Sequence, residues 1–408
     1  MFEGQVVDIE KARRARLAAL AVFFVNGFGF ANWIVRIPTV QEKLDLGEGS
    51  LGLALLALAV GALVTMVVSG GLVHKLGSRP VVGVAGLVFG LSLVLPALAP
   101  SLPLLVLALL VTGAWHGALD VSMNAHAVAV ENAYRRPIMS SFHASFSLGG
   151  LAGATSGGLL SAWGVGLASH LGGVAVLSAL AFAVASRVLL PASADRGGDD
   201  AGPAFVRPNR TLAGLGFIAF CVLLGEGAMA DWSAVYLGGT LGTGPGLAAA
   251  GYAVFSLTMA AGRLCGDRLA KRATPGQLIR AGAALAAAGL GLSLAVGDPI
   301  FALVGFACAG AGFSVIFPNV LSAAGRDGEM PAGAAIAAVS TAGYFGFLVG
   351  PSAIGFVAEL TGLGVALYIV VGLSAIVALM AGTLGRVPGG EPAERMDDVA
   401  RDVAPRAG

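Results

Sequence analysis

The stretch GAWHGALDVSMNAHAVAVENAYRRPIMSSFHASFSLGG, from Gly113 to Gly150, decides how the chain is read. Its first half is apolar enough to lie in lipid, yet it carries His116, Asp120, Asn124 and Glu131. Helical steps of four and seven residues return to nearly the same side, so these four form one polar stripe on an otherwise Ala/Val/Gly helix. A carboxylate near the middle of a membrane helix costs about 2.5–3.5 kcal/mol on insertion scales, and such residues face a bundle interior or a watery cavity. The stripe reads as the wall of a transport cavity.

The rest of the chain supplies the membrane context. Of 408 residues, 57% are hydrophobic and only 12% charged, about half the charge of a soluble domain. Mean hydropathy is +0.86. The three cysteines, Cys221, Cys265 and Cys308, lie in apolar segments without metal-ligand spacing and read as buried structural thiols. The first apolar run begins at Leu17 behind Lys11, Arg13, Arg14 and Arg16, with no small-residue cleavage site, and reads as an uncleaved first span.

About twenty apolar residues cross a bilayer. Twelve such runs fall at 16–37, 48–72, 80–100, 102–131, 138–163, 166–190, 210–237, 246–266, 275–297, 299–323, 331–358 and 363–386. The spacing predicts an all-α membrane protein of 12 transmembrane helices: an N-terminal six-helix half at 1–191, a polar Gly/Asp/Pro-rich cytoplasmic linker at 192–208, and a C-terminal half at 209–386. A charged, disordered tail follows at 387–408. With the N-terminus inside, all but Arg36 and Lys43 of the 24 Lys and Arg residues fall on inner segments, placing both termini in the cytoplasm of a cell bounded by this inner membrane.

The halves repeat. GFGFANW (27–33) aligns with EGAMADW (226–232), setting Asn32 opposite Asp231 and Trp33 opposite Trp232. GALDVSMN (117–124) aligns with GFSVIFPN (312–319), setting Asn124 opposite Asn319, and GGLAGATSGG (149–158) aligns with GFLVGPSAIG (346–355). Parallel six-helix repeats with a site at their interface are the plan of the major facilitator superfamily. GGLVHKLGSRP (70–80) resembles that superfamily's cytoplasmic loop motif through Gly70, Leu72, Lys75, Gly77 and Arg79, with His74 in the place of the motif Asp; GRLCGDRLAKR (262–272) is its counterpart. Together with NWIVRIP (32–38), SSFHASFSLGG (140–150) and EGAMADWSAVYL (226–237), the chain resembles the MosC/YbjJ-like branch, near the fucose:proton symporters. The resemblance implies a secondary active permease moving a small polar, sugar- or cyclitol-like solute by proton-coupled symport. An alternative is a proton-driven exporter of metabolites or drugs, since 149–158 is close to an exporter pattern with Ala154 where Pro is expected.

Three carboxylates are candidate proton carriers: Asp120, Glu226 and Asp231. The last two are five residues apart on span 7, about 140° around a helix, so they are not expected to face a cavity squarely together, unless the glycines around Glu226 break the span. Asn26, Asn32, His116, Asn124, His143, Asn319 and Tyr344 are candidates to hydrogen-bond a hydroxylated solute, with Trp33, Trp115 and Trp232 as apolar faces. Arg36 is expected to pair with Asp231 at the outer mouth. Glu131, Arg263, Asp267 and Arg326, with the loop cations Lys75 and Arg79, are expected to form ion pairs at an inner gate.

Other classes find little support. His116 and His126 lie about 15 Å apart along a helix and do not share a metal, no HExxH, GxSxG or GxxxxGK[ST] motif is present, and an enzyme is not expected. No cofactor or nucleic-acid partner is expected, only solute, protons and bilayer, in a monomer.

Overall fold

Helices in this chain are apolar on nearly every side, because each faces either lipid or another apolar helix. The computed structural model describes residues 9–134, 138–194, 209–270, 272–324 and 332–384. Arg135, Arg136, Arg326, most of the expected linker and the expected tail lie outside the described residues, as does the Asp267 side chain.

Twelve long helices follow the twelve apolar runs. The first six are α1 (Ile9–Ile34), α2 (Glu48–Leu76), α3 (Ser78–Ser92), α4 (Leu102–Tyr134), α5 (Met139–Ala162) and α6 (Leu167–Ser186). The second six are α7 (Arg210–Val235), α8 (Pro245–Ala270), α9 (Pro275–Val296), α10 (Pro299–Ala324), α11 (Ala332–Thr361) and α12 (Tyr368–Leu384). An even number of crossings brings the first and last described residues to one end of the bundle, called the near end; the opposite end is the far end. Among the described residues, eleven helical stretches are long and apolar enough to cross a membrane. The exception is α5, whose serines, glycines and His143 dilute its apolarity; it is sandwiched between α1 and α8. The glycines around Glu226 do not break span 7: α7 runs unbroken and ends in a π-helical turn at Tyr236–Thr240. Cys265 is exposed, contrary to its expected burial.

Each set of six packs within itself, and the two halves meet along two seams, α5 against α8 and α2 against α11. Glycine permits the closest contacts. A Cβ on Gly149 would sit 2.0 Å from the Phe24 carbonyl oxygen of α1, and one on Gly346 would sit 2.3 Å from that of Phe220 on α7. Likewise Gly113 meets the Leu58 carbonyl at 1.9 Å, and Gly310 meets that of Phe255 at 2.4 Å. These paired contacts set the register of the repeat: 197 residues for α2/α8, α4/α10 and α5/α11, and 196 for α1/α7.

That register keeps the alignment of 149–158 with 346–355 and corrects the other two. Asn124 and Asn319 are 195 apart in sequence, so they miss equivalence by two residues, about 200° of helix. Asn32 and Asp231 miss it by three. Short matches among small residues slip easily, whereas a backbone-to-backbone contact tolerates no slip.

Gly149→Ala and Gly346→Ala force a helix pair apart, and each is expected to cost about 1–3 kcal/mol. Gly70, with nothing within 4 Å of an added Cβ, accepts Ala without loss. Melting of the three purified variants in detergent checks this; equal melting temperatures would sink the close-contact account.

Candidate functional site

The halves enclose a central cavity of about 250 Å³, just below the usual size of a ligand pocket. His116, Asp120 and Asn124 line it from α4, so the stripe faces inward as its spacing implies. Asn124 donates to the Asp120 backbone carbonyl (2.9 Å) and to Asp120 Oδ1 (3.3 Å). Tyr344, on α11 of the other half, donates its hydroxyl to Asp120 Oδ2 at 3.2 Å. His116 stacks on Phe30, with ring centroids 4.8 Å apart, and its Nε2 is buried without a hydrogen-bond partner.

Across the cavity, Arg263 on α8 bonds Glu226 Oε1 of α7 at 3.0 Å and Ser147 Oγ of α5 at 3.0 Å. Arg263 thus lies at mid-bundle and not at an inner gate, because Glu226 draws the guanidinium inward. Charge pairs are worth most where water is scarce, and leaving one member alone is costly. Glu226 and Asp231 both line the cavity despite their angular separation. The residues between them explain this. Gly227 and Ala230 also line it, so small side chains open a cavity-facing arc of about 140° on α7. Asp231 has no hydrogen-bond or ion-pair partner among the described residues. His143 completes the polar lining beside Phe23, with ring centroids 5.6 Å apart.

Several candidates lie elsewhere. Arg36 does not reach Asp231. It is buried at the far end, where its Nε donates to His170 Nδ1 (2.8 Å), Nη1 to Ser161 Oγ (2.9 Å) and Nη2 to the Val165 carbonyl (2.8 Å). An arginine cannot accept, so His170 Nδ1 is the acceptor and its Nε2–H donates to Asn32 Oδ1 at 2.8 Å. Asn32 therefore belongs to this far-end network and not to the cavity. Asn26 is buried one layer behind, its amide on Met123 Sδ at 3.5 Å. Asn319 folds back on the Val315 carbonyl at 2.6 Å and faces away, as the corrected register requires. Trp33 and Trp232 are core residues, whereas Trp115 packs against the core without lining the cavity.

The near-end candidates cap helices. Glu131 Oε2 accepts the Ile138 and Met139 N–H groups, both at 2.7 Å, at the start of α5. Arg79 donates to the Ser186 and Arg187 carbonyls (3.1 and 2.9 Å) at the end of α6. Both are favourable for the helix dipole. Lys75 is exposed nearby. Among the described residues the only ion pairs are Arg263–Glu226 and Arg14–Glu10.

One contact between the halves carries no sequence signal. Glu359, near the end of α11, accepts the Gly49 N–H at 2.8 Å, in the first turn of α2. Gly47 and Gly49 leave room for the carboxylate. Gly52 likewise packs on Pro351 and Gly355, so α2 and α11 meet closely at the far end. Ser147, Tyr252 and the rings of Phe30 and Phe317 were also not singled out by spacing. The repeat register finds three of them, since Phe30, Phe317 and Ser147 are the counterparts of Glu226, Asp120 and Tyr344.

Comparison with known proteins places this architecture. Residues 19–332 match the Major Facilitator Superfamily. An uncharacterized MFS-type transporter of Yersinia pestis is 38% identical over 344 residues, covering 84% of this chain and 89% of the relative. The membrane protein MosC of Rhizobium meliloti is 33% identical, covering 95% and 94%. Among solved structures, a mutant of the nucleoside transporter NupG superposes with a TM-score of 0.74 at 14% identity, over 91% of this chain and 99% of that one. A bacterial homologue of the human lysosomal transporter Spinster, inward-facing and occupied, gives 0.68 at 14% identity, over 91% and 96%. With twelve helices in two packed halves around a lined central cavity, the chain is a multi-pass membrane transporter that belongs to the Major Facilitator Superfamily.

Proposed function

We propose that this transporter moves a small polar solute by alternating access, coupled to protons, across the inner membrane with both termini in the cytoplasm. The observation that carries this reading is the cavity itself: three carboxylates and one guanidinium at mid-bundle, bridged between the halves. The bridges are Tyr344–Asp120 and Ser147–Arg263–Glu226. Rocking one half on the other has to break both. A proton on Asp120 weakens a charge-assisted bond to Tyr344, and a proton on Glu226 dissolves its pairing with Arg263. Proton occupancy and solute occupancy therefore act on the same two bridges, which is what coupling requires. With the near end cytoplasmic, the closely packed far end makes this the inward-facing arrangement.

One proton moving inward at 100 mV supplies about 2.3 kcal/mol, enough for a roughly fifty-fold gradient of a neutral solute. Asp120→Asn, Glu226→Gln and Asp231→Asn, reconstituted in vesicles holding a pH dye, separate the carriers. At the coupling carboxylate, solute-driven proton flux disappears, accumulation falls from about fifty-fold to unity, and solute exchange persists. Coupled flux in all three variants would refute the proton-carrier assignment.

Glu359 acts as the far-end latch in this reading. A carboxylate at a helix N-terminus is worth about 1 kcal/mol, or about fivefold in a population ratio. Glu359→Ala is expected to raise the far-end-open population by that factor. The distance distribution between spin labels at Glu42 and Thr240 reads it, with Glu359→Gln falling in between. An unchanged distribution for Glu359→Ala means the contact is no latch.

A further inference from the structure

The polar groups of the central cavity do not balance. Its donors are largely spent within the protein: Arg263 on Glu226 and Ser147, Tyr344 on Asp120, and Asn124 on Asp120. Its acceptors are not. Both oxygens of Asp231 are without a hydrogen-bond partner among the described residues, and the second oxygen of Glu226 has no described bond. The unpartnered His116 Nε2 serves a hydroxyl in either tautomer.

Charge is unbalanced in the same direction. Three carboxylates line the cavity against one guanidinium, so with His116 and His143 neutral two negative charges are uncompensated when the carboxylates are ionised. One coupling proton leaves one. A neutral polyol fills hydrogen-bond sites but not that deficit, and a buried unpaired carboxylate is strongly disfavoured. An anionic solute worsens it.

We infer that the transported solute carries a protonated amine, and that Asp231 is the carboxylate that receives it. This rests on the transport reading above and deepens it, leaving Asp120 and Glu226 to carry the proton. The aromatic lining suits the same ligand, because ring faces attract ammonium groups. His116 stacked on Phe30 presents a flat surface beside Asp120, and Tyr252 and Phe255 line the α8 side. The ammonium donates to the idle Asp231 oxygens, while hydroxyls on the solute meet His116 and the remaining acceptors.

Matched pairs that differ in one group test this: glucosamine against glucose, and ethanolamine against ethylene glycol. Binding to the purified full chain in detergent is read from the shift in melting temperature across a concentration series. The amine member of a pair is expected to bind about tenfold more tightly than its hydroxyl partner, as for one added charge pair. Asp231→Asn removes that preference and Asp231→Glu keeps it, so a folding defect is separated from a lost charge. Equal affinities within each pair, an unchanged preference in Asp231→Asn, or no binding by any amine overturns the inference. Exchange in vesicles keeps the two ideas apart. Selective amine binding without exchange defeats the transport reading alone. Proton-coupled exchange of glucose with no amine binding defeats this inference alone.

Discussion

Lipid offers no hydrogen bonds, so every polar group at membrane depth needs a partner inside the protein or a place in a cavity. The rest of the structure follows from that constraint. Three asparagines on different helices, Asn32, Asn124 and Asn319, turn an amide hydrogen back to the carbonyl four residues earlier. His126 accepts the Leu190 N–H at 3.2 Å and contacts Ser78 Oγ at 2.6 Å, joining the start of α3 to the segment after α6. Arg36 is satisfied by a histidine, a serine and a carbonyl without any carboxylate. The idle carboxylate oxygens on Asp231 differ from other unpartnered atoms, such as Nε1 of Trp33 and Trp232, in belonging to a cavity-lining side chain.

The repeat register shows how the two halves divide the work. Asp120 corresponds to Phe317, Glu226 to Phe30 and Arg263 to Met66, and all six line the cavity. Tyr344 corresponds to Ser147, and each bonds across to a charged residue of the opposite half. The lining positions are thus shared by the halves while their polarity is not. Each of these three charges has an apolar counterpart, which keeps the desolvated charges few and grouped. A symmetric cavity would hold twice as many, at several kcal/mol of desolvation for each.

Much of this was legible in the chain. Apolar runs have the length of a bilayer crossing, and a stripe such as His116, Asp120 and Asn124 keeps its face whatever packs against it, because helix periodicity is local. What failed was long-range. The distance between Arg263 and Glu226 depends on how α8 packs on α7, and the contact of Glu359 with Gly49 joins residues 310 positions apart. The slipped alignments failed for a related reason. Small residues recur throughout these helices, and only the carbonyl that each glycine touches reveals its partner. Charges near helix ends were read as a gate, whereas Glu131 and Arg79 serve the backbone, since exposed helix termini compete for the same side chains.

On the proposed reading, alternating access turns on an asymmetry between the two levels of the bundle. The far end is closed by packing that leaves no space: Gly52 on the Pro351 carbonyl, Gly158 on Ala249, and the Glu359 latch. The middle is closed by the polar bridges Tyr344–Asp120 and Ser147–Arg263, which on the proposed reading protons or a solute replace. Opening the far end forfeits contacts that nothing else supplies, so compensation has to come from new contacts at the near end. On the same reading, occupancy at the middle decides when that exchange is close to even. A transporter with ions at both ends would need no such arbitration. Here the three carboxylates and Arg263 line the central cavity, and on the proposed reading the decision to move is taken there.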